Sequence, residues 1–188
     1  KHTRAESFYE MRHAEVLTTL AITVVTVAVE LVVGFGFAFV MLRIVRGRGP
    51  LRTAILIPYG IVTVVSAFIW RYAFAIDAGF VNQWLNLGSF DWFGDRWSAI
   101  FVICLSEIWK TTPFISLLLL AGLVQVPEDM QEAAKVDGAT AWQRLWKITL
   151  PNMKAAIMVA LLFRTLDAWR IFDNPYVMTN GANNTETI

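Results

Sequence analysis

Four stretches of this chain are almost continuously apolar, and polar intervals of different character separate them. From Val16 to Leu42 nearly every residue is apolar. That exceeds the ~20 residues needed to cross a hydrocarbon core, so it predicts a span that tilts or runs beyond the lipid. Further spans are predicted at about 53–75, 98–123 and 154–172. Glu30 is the one charge in the first span, and a charge at mid-span is costly enough to require a setting against protein or water. Gly34 and Gly36 would let a neighbouring helix approach closely. In the second span Pro58 lies near one end, and Trp70, Arg71 and Tyr72 form an interfacial belt at the other. Pro113 removes a backbone hydrogen bond from the third and predicts a kink, with Thr111 and Thr112 available to satisfy the freed groups. Glu107 lies three residues before Lys110, within pairing reach.

The polar intervals give the chain a direction across the membrane. Residues 1–15 mix Lys1, Arg4 and Arg12 with Glu6, Glu10 and Glu15, an interfacial or solvated lead-in. Arg43, Arg46, Arg48 and Arg52 follow within one short loop that contains no acid, which assigns that loop to the cytoplasm. Residues 76–97 carry three Asp, Arg96 as the sole base, and Trp84, Trp92 and Trp97, a loop on the opposite side. From Pro127 to Pro151 the pattern reads as two short helices with a break. Pro127 suits a first helical position, and Glu128 and Asp129 favour a helix N-terminus. That helix is predicted to reach about Val136 and to end at Asp137-Gly138, where glycine takes the left-handed conformation. A second, roughly Thr140 to Thr149, places Trp142, Leu145, Trp146 and Thr149 on one face, and Pro151 stops it. The tail from Asp173 emerges on the outer side.

Composition supports a membrane protein and removes several function classes. Hydrophobic residues make up 56% of the chain and charged residues 16%, against about 25% charged in ordinary globular domains. The mean hydropathy is +0.53. A net charge of +1, without a basic run to track phosphates, argues against nucleic acid. Cys104 stands alone in an apolar stretch, so no disulfide framework exists and the residue is expected in a core. His2 and His13 are too few and too scattered for a metal site. There is no Gly-x4-Gly-Lys-Ser/Thr phosphate loop, no Gly-x-Ser-x-Gly elbow, no His-Glu-x-x-His and no membrane-embedded His to act as a base. No signal-peptide pattern opens the chain, and further spans are expected to flank both ends.

The polar stretch also carries a resemblance. Glu132-Ala133-Ala134, then Gly138, then Ile148, Leu150 and Pro151 resemble the EAA loop of binding-protein-dependent ABC importer permeases. Gly79, Asn82 and Leu85 resemble the Gly-x-x-Asn-x-x-Leu pattern of sugar permeases, and Met178-Thr179-Asn180-Gly181-Ala182 partly keeps a later family motif. The likeness extends from Val16 to Thr187 and is to the MalF-type permease subunits of carbohydrate importers. It implies an all-α, polytopic transmembrane bundle of the type I ABC importer permease fold in the bacterial plasma (inner) membrane. Residues 1–188 would be a single permease domain with residues 124–153 as its cytoplasmic coupling loop. Glu132, Ala133, Ala134, Gly138, Leu150 and Pro151 would couple it to an ATPase. The implied partners are a second permease, two ATP-binding subunits and an extracytoplasmic solute-binding (lipo)protein. The implied substrate is a sugar, a disaccharide such as trehalose foremost. ATP and Mg would bind the partner subunits, and this chain would hold no cofactor.

The fourth span carries a charged face. Arg164, Asp167, Arg170 and Asp173 recur every three residues, and steps of 300° keep the first three within a face about 120° wide. One reading is a water-filled path in which Arg164 and Asp167 bind sugar hydroxyls while Phe163, Trp169 or Phe172 stacks on the ring. The other is a salt-bridge ladder against a neighbouring subunit. In the sugar permeases, side chains on the helix after the loop contact substrate. Arg164, Ala168 and Ile171 would be the equivalent face, though Ala and Ile make no polar contacts. Arg164, Asp167, Glu107, Lys110 and Trp169 are therefore the candidate path residues. An ion-coupled secondary transporter using Glu30, Glu107 and Asp167, or a membrane scaffold without transport, are the rival readings.

Overall fold

A computed structural model of the protein describes residues 4–44, 48–169 and 173–180, with side chains described for 16–44, 49–169 and 173–180. Every described element is helical: α1 (Arg4–Arg43), α2 (Arg48–Gly60), α3 (Thr63–Ala73), α4 (Phe80–Leu85), α5 (Arg96–Val124), α6 (Glu128–Val136), α7 (Ala141–Arg144), a π-helical turn (Leu145–Thr149), α8 (Leu150–Asn152), α9 (Lys154–Ala168) and α10 (Asp173–Thr179). Among the described residues, Val16–Arg43 and Arg96–Val124 are long and apolar enough to cross a membrane, and two helix pairs interrupted by short breaks bring the candidates to four. The outward faces carry the large apolar side chains. On α1, Val24, Val25, Val32 and Val33 are exposed while Thr18, Thr19, Thr23, Thr26 and Glu30 are buried. That inversion of the soluble pattern is what a lipid-facing helix needs.

The chain divides into two compact units. The first, from Lys1–Val29, Gly60–Lys110 and Thr165–Ile188, has a core of Ile22, Ala67, Phe74, Val102, Ile103 and Met178, with Cys104 buried among them. In it α10 packs on α3. Arg71 donates from Nη1 to the Val177 carbonyl at 3.0 Å, a cation on one of the last carbonyls of α10. Asn82 ties the two ends of the loop around α4 together. Buried Asn82 donates to the Phe90 carbonyl at 2.9 Å and accepts from Trp92 Nε1 at 2.7 Å. Gly79 of the same motif is required by space, since a Cβ there would lie 2.4 Å from the Ala75 carbonyl oxygen.

The second unit, Glu30–Tyr59 and Thr111–Arg164, packs Ala38, Met41, Ile115, Leu119, Leu120 and Met153 into a core. Here Gly34 admits α5 closely: a Cβ would meet Ile115 Cγ2 at 2.7 Å. Gly36, expected to do the same, has nothing within 4 Å of such a Cβ and faces outward.

Several element boundaries differ from those the pattern predicts. The second span is two helices rather than one continuous run over 53–75: α2 ends at Gly60 and α3 begins at Thr63. Pro58 lies inside α2 and removes one ladder hydrogen bond just before Gly60, so the helix is weakest where it breaks. Pro113 lies inside α5, and the helix continues past it. The Thr111 hydroxyl, near the proline, donates to Glu30 Oε1 at 2.7 Å. The fourth span, expected to reach about residue 172, is helical only to Ala168, and 170–172 lie outside the described residues. The tail is not a loose emergence, because Asp173–Thr179 forms α10 with Asn174, Pro175, Met178 and Thr179 buried. Gly181 and Ala182 of the partial family motif lie outside the described residues.

Candidate functional site

Two kinds of site arise, a polar loop built for contact and buried clusters of ionisable side chains. In the loop, Pro127 precedes the first helical residue of α6 in an extended conformation, with Glu128 and Asp129 in the first turn. The far end closes as a Schellman motif: the Ala139 N–H donates to the Ala134 carbonyl at 2.9 Å, and the Gly138 N–H to the Lys135 carbonyl at 3.1 Å. Gly138 has φ +79°, the left-handed region that only glycine enters without strain. The next helix starts with a complete capping box, in which Thr140 Oγ1 accepts from the Gln143 N–H and Gln143 Oε1 accepts from the Thr140 N–H.

Beyond Arg144 the helix widens into the π turn, and the Leu150 N–H reaches back to the Leu145 carbonyl. Helix then continues through Pro151 to Asn152, and the chain breaks at Met153, with 70° between Ala141–Asn152 and α9. Pro151 therefore does not stop this helix. A proline normally clashes with the carbonyl four residues back, and the wider i→i+5 turn moves that carbonyl aside. The turn also resets the rotational register. Trp142 and Trp146 stay exposed and meet edge-on at 5.6 Å, whereas Thr149 is buried. The single face expected for those residues is thus divided. Gln131 Nε2 donates to Thr149 Oγ1 at 2.9 Å and ties α6 to the π turn, a contact that no local pattern signals. On this scaffold Glu132, Ala133 and Pro151 are exposed, Ala134 and Leu150 half-buried, and Gly138 exposed at the bend.

The second unit also contains a buried ion pair. Arg164 is 1% exposed and Glu30 0% exposed. Arg164 Nε donates to Glu30 Oε2 at 2.6 Å and Nη2 to Oε1 at 3.0 Å, a two-pronged match of planar groups. With Thr111 donating to the same carboxylate, three helices, α1, α5 and α9, are joined at one point. The other members of the charged face are placed differently. Asp167 and Trp169 are exposed, Asp173 is exposed in the first turn of α10, and Arg170, Ile171 and Phe172 lie outside the described residues.

A second buried cluster lies in the first unit. Buried Asn174 donates from Nδ2 to Glu107 Oε1 at 2.7 Å and to Ser106 Oγ at 2.8 Å, and its Oδ1 is buried without a hydrogen-bond partner. Lys110 Nζ donates to Thr63 Oγ1. Glu107 and Lys110 are therefore described with separate partners on α10 and α3. Asn174 is not ionisable, and its one mark in the sequence is its place directly before Pro175.

The family described as the inner membrane component of binding-protein-dependent transport systems matches residues 30–185. The chain is 54% identical over 170 residues to the trehalose transport system permease protein SugA of Mycobacterium tuberculosis, which covers 90% of this chain and 55% of that protein. It is 42% identical over 166 residues to the trehalose/maltose transport system permease protein MalF of Thermococcus litoralis, covering 87% of this chain and 56% of that protein. The chain thus spans about half the length of the curated relatives it matches. Among solved structures, a bacterial ABC transporter involved in the import of the acidic polysaccharide alginate matches with a TM-score of 0.80 at 23% identity, over 95% of this chain and 64% of the other.

Proposed function

Because the chain belongs to the family of inner membrane components of binding-protein-dependent transport systems, with the all-α fold of an ABC importer permease, we propose that it is a permease subunit of an ATP-driven sugar importer. The observation that carries the substrate class is the 54% identity to a trehalose permease across 90% of the chain; a disaccharide such as trehalose is the expected cargo. A second permease would complete the path, two ATP-binding subunits would bind ATP and Mg, and a solute-binding (lipo)protein would deliver the sugar outside.

Coupling is assigned to the loop at Pro127–Pro151. An exposed helix that ends in a rigid bend is a surface suited to seat in a partner's cleft. Glu132 supplies a charge-assisted contact, Ala133 and Ala134 keep the helix thin, and Gly138 sets the angle between the two helical segments. Leu150 and Pro151 carry the motion of that lever into α9. On the transport side, Asn174, Glu107 and Lys110 form the better candidate for sugar contact, since an unpartnered amide oxygen can accept a hydroxyl. Asp167 and Trp169 remain exposed candidates. Arg164, committed to Glu30, acts as a positioning residue. The same pairing weakens an ion-coupled mechanism, because Glu30 is neutralised by its partner.

The test uses the full-length protein purified from membranes. The expected result is recovery of ATP-binding subunits with it, and in Glu132→Ala either their loss or ATP hydrolysis uncoupled from uptake. Unchanged co-purification together with unchanged uptake in Glu132→Ala would remove the loop from the coupling role.

A further inference from the structure

The geometry points to a binding site for an anionic phospholipid where the first span meets the cytoplasmic loop. Within the second unit an open cavity of about 450 Å³ lies between the last turns of α1 and the segment that follows α6. Phe39, Val40 and Arg43 line it from α1; Trp142, Arg144 and Leu145 line it from the loop. Gln131 and Thr149, joined by their hydrogen bond, also line it.

The chemistry of the lining selects the ligand. Arg43 and Arg144 both line the cavity, and no carboxylate does. Arg144 commits one donor to the Ala139 carbonyl at 2.9 Å, and the rest of its fork is open to a further acceptor. Two like charges against a wall of Phe39, Val40 and Leu145 call for an anion. A free phosphate would satisfy the arginines and leave that wall wet. A zwitterionic lipid would cover the wall and bring a cation with its phosphate. An anionic phospholipid does both: its phosphodiester takes the planar forks of Arg43 and Arg144, and an acyl chain lies along Val40 and Phe39.

Two further observations agree. The apolar run of α1 ends at Leu42 and Arg43, so the cavity sits where hydrocarbon gives way to headgroups, the depth at which an indole such as Trp142 is favoured. The sequence also places Arg43, Arg46, Arg48 and Arg52 within ten residues without an acid, a cluster that concentrates anionic lipid beside a span. A lipid held here would join the end of α1 to the first turn after the bend at Gly138. The posture of the loop would then depend on membrane composition. This role rests on the importer reading for its orientation; the binding itself does not.

The experiment is native mass spectrometry of the full-length protein in mild detergent, with phosphatidylglycerol or phosphatidylcholine added. Phosphatidylglycerol should remain bound and phosphatidylcholine should not. The Arg43→Gln/Arg144→Gln variant should bind phosphatidylglycerol roughly thirtyfold more weakly, as expected for two basic groups at a membrane surface. Lys135→Gln, a charge loss outside the cavity lining, should change nothing, and Arg43→Lys/Arg144→Lys should restore part of the binding and report that the fold survives. Millimolar inorganic phosphate should leave the bound lipid in place. Equal retention by the double Gln variant, equal retention of the two lipids, or displacement by phosphate would each overturn the site. Because the readout needs no ATP, absence of ATP-binding subunits would count against the importer reading and leave the lipid result standing.

Discussion

Arg164 and Glu30 lie 134 positions apart in sequence and meet at 2.6 Å, both of them almost wholly removed from solvent. Desolvating two charges is expensive, and the pair is tolerable because the guanidinium and carboxylate meet along two bonds while Thr111 adds a third. Removing one member strands the other. Arg164→Ala should therefore destabilise the chain by ~3–5 kcal/mol, seen as a lower unfolding midpoint by fluorescence-detected size exclusion. Replacing both with neutral groups of similar size, Glu30→Gln with Arg164→Met, should recover most of that loss. An Arg164→Ala protein with an unchanged midpoint and reduced sugar uptake would return the arginine to the substrate path. Sequence reasoning found both residues and missed the pairing. Local spacing groups Arg164 with Asp167 on one face of one helix and says nothing of a partner on another. The better signal was charge accounting across spans: the one acid of the first span needs a base from another.

At the scale of elements, the loop was legible where its signals are chemical. Glu128 and Asp129 start α6, Gly138 ends it, and Thr140 with Gln143 caps the next helix, because caps depend on residue type at fixed offsets. The π turn leaves no such trace, since a widened turn has no composition of its own, and so in sequence Pro151 reads as a stop although the helix runs through it. The break after Gly60 escaped for a related reason. Hydropathy averages across Pro58 and Gly60 and reports one apolar segment where the backbone makes two helices. The short α10 was missed because its buried face is small and partly polar. Gly138→Val places a β-branched residue at φ +79°, which such residues strongly resist. The expected outcome is a frayed end to α6, read as faster tryptic cleavage after Lys135 and Arg144 and as weaker retention of ATP-binding subunits. A cleavage rate and subunit yield equal to wild type would mean that the bend does not depend on this glycine.

For the whole molecule, orientation links every assignment above. The loop bearing Arg43 to Arg52 and the loop at Pro127–Pro151 are expected on one side, the cytoplasm, and the α4 loop on the other. In a background with Cys104 replaced, single cysteines at Arg48 and Gln143 should react with impermeant thiol reagents only after lysis. A cysteine at Ser89 should react in intact cells whose outer envelope admits the reagent. Labelling of Arg48→Cys or Gln143→Cys in intact cells would reverse the topology and separate the loop from any cytoplasmic ATPase. With orientation in hand, the proposed function reduces to the energy source and cargo of one transport event. The most direct measurement is uptake of labelled trehalose by proteoliposomes that contain the full-length protein with its co-purified subunits and binding protein, with ATP enclosed or omitted. The expected result is uptake that requires enclosed ATP and persists when proton and sodium gradients are collapsed. Uptake that proceeds without ATP and stops when those gradients are collapsed would contradict it.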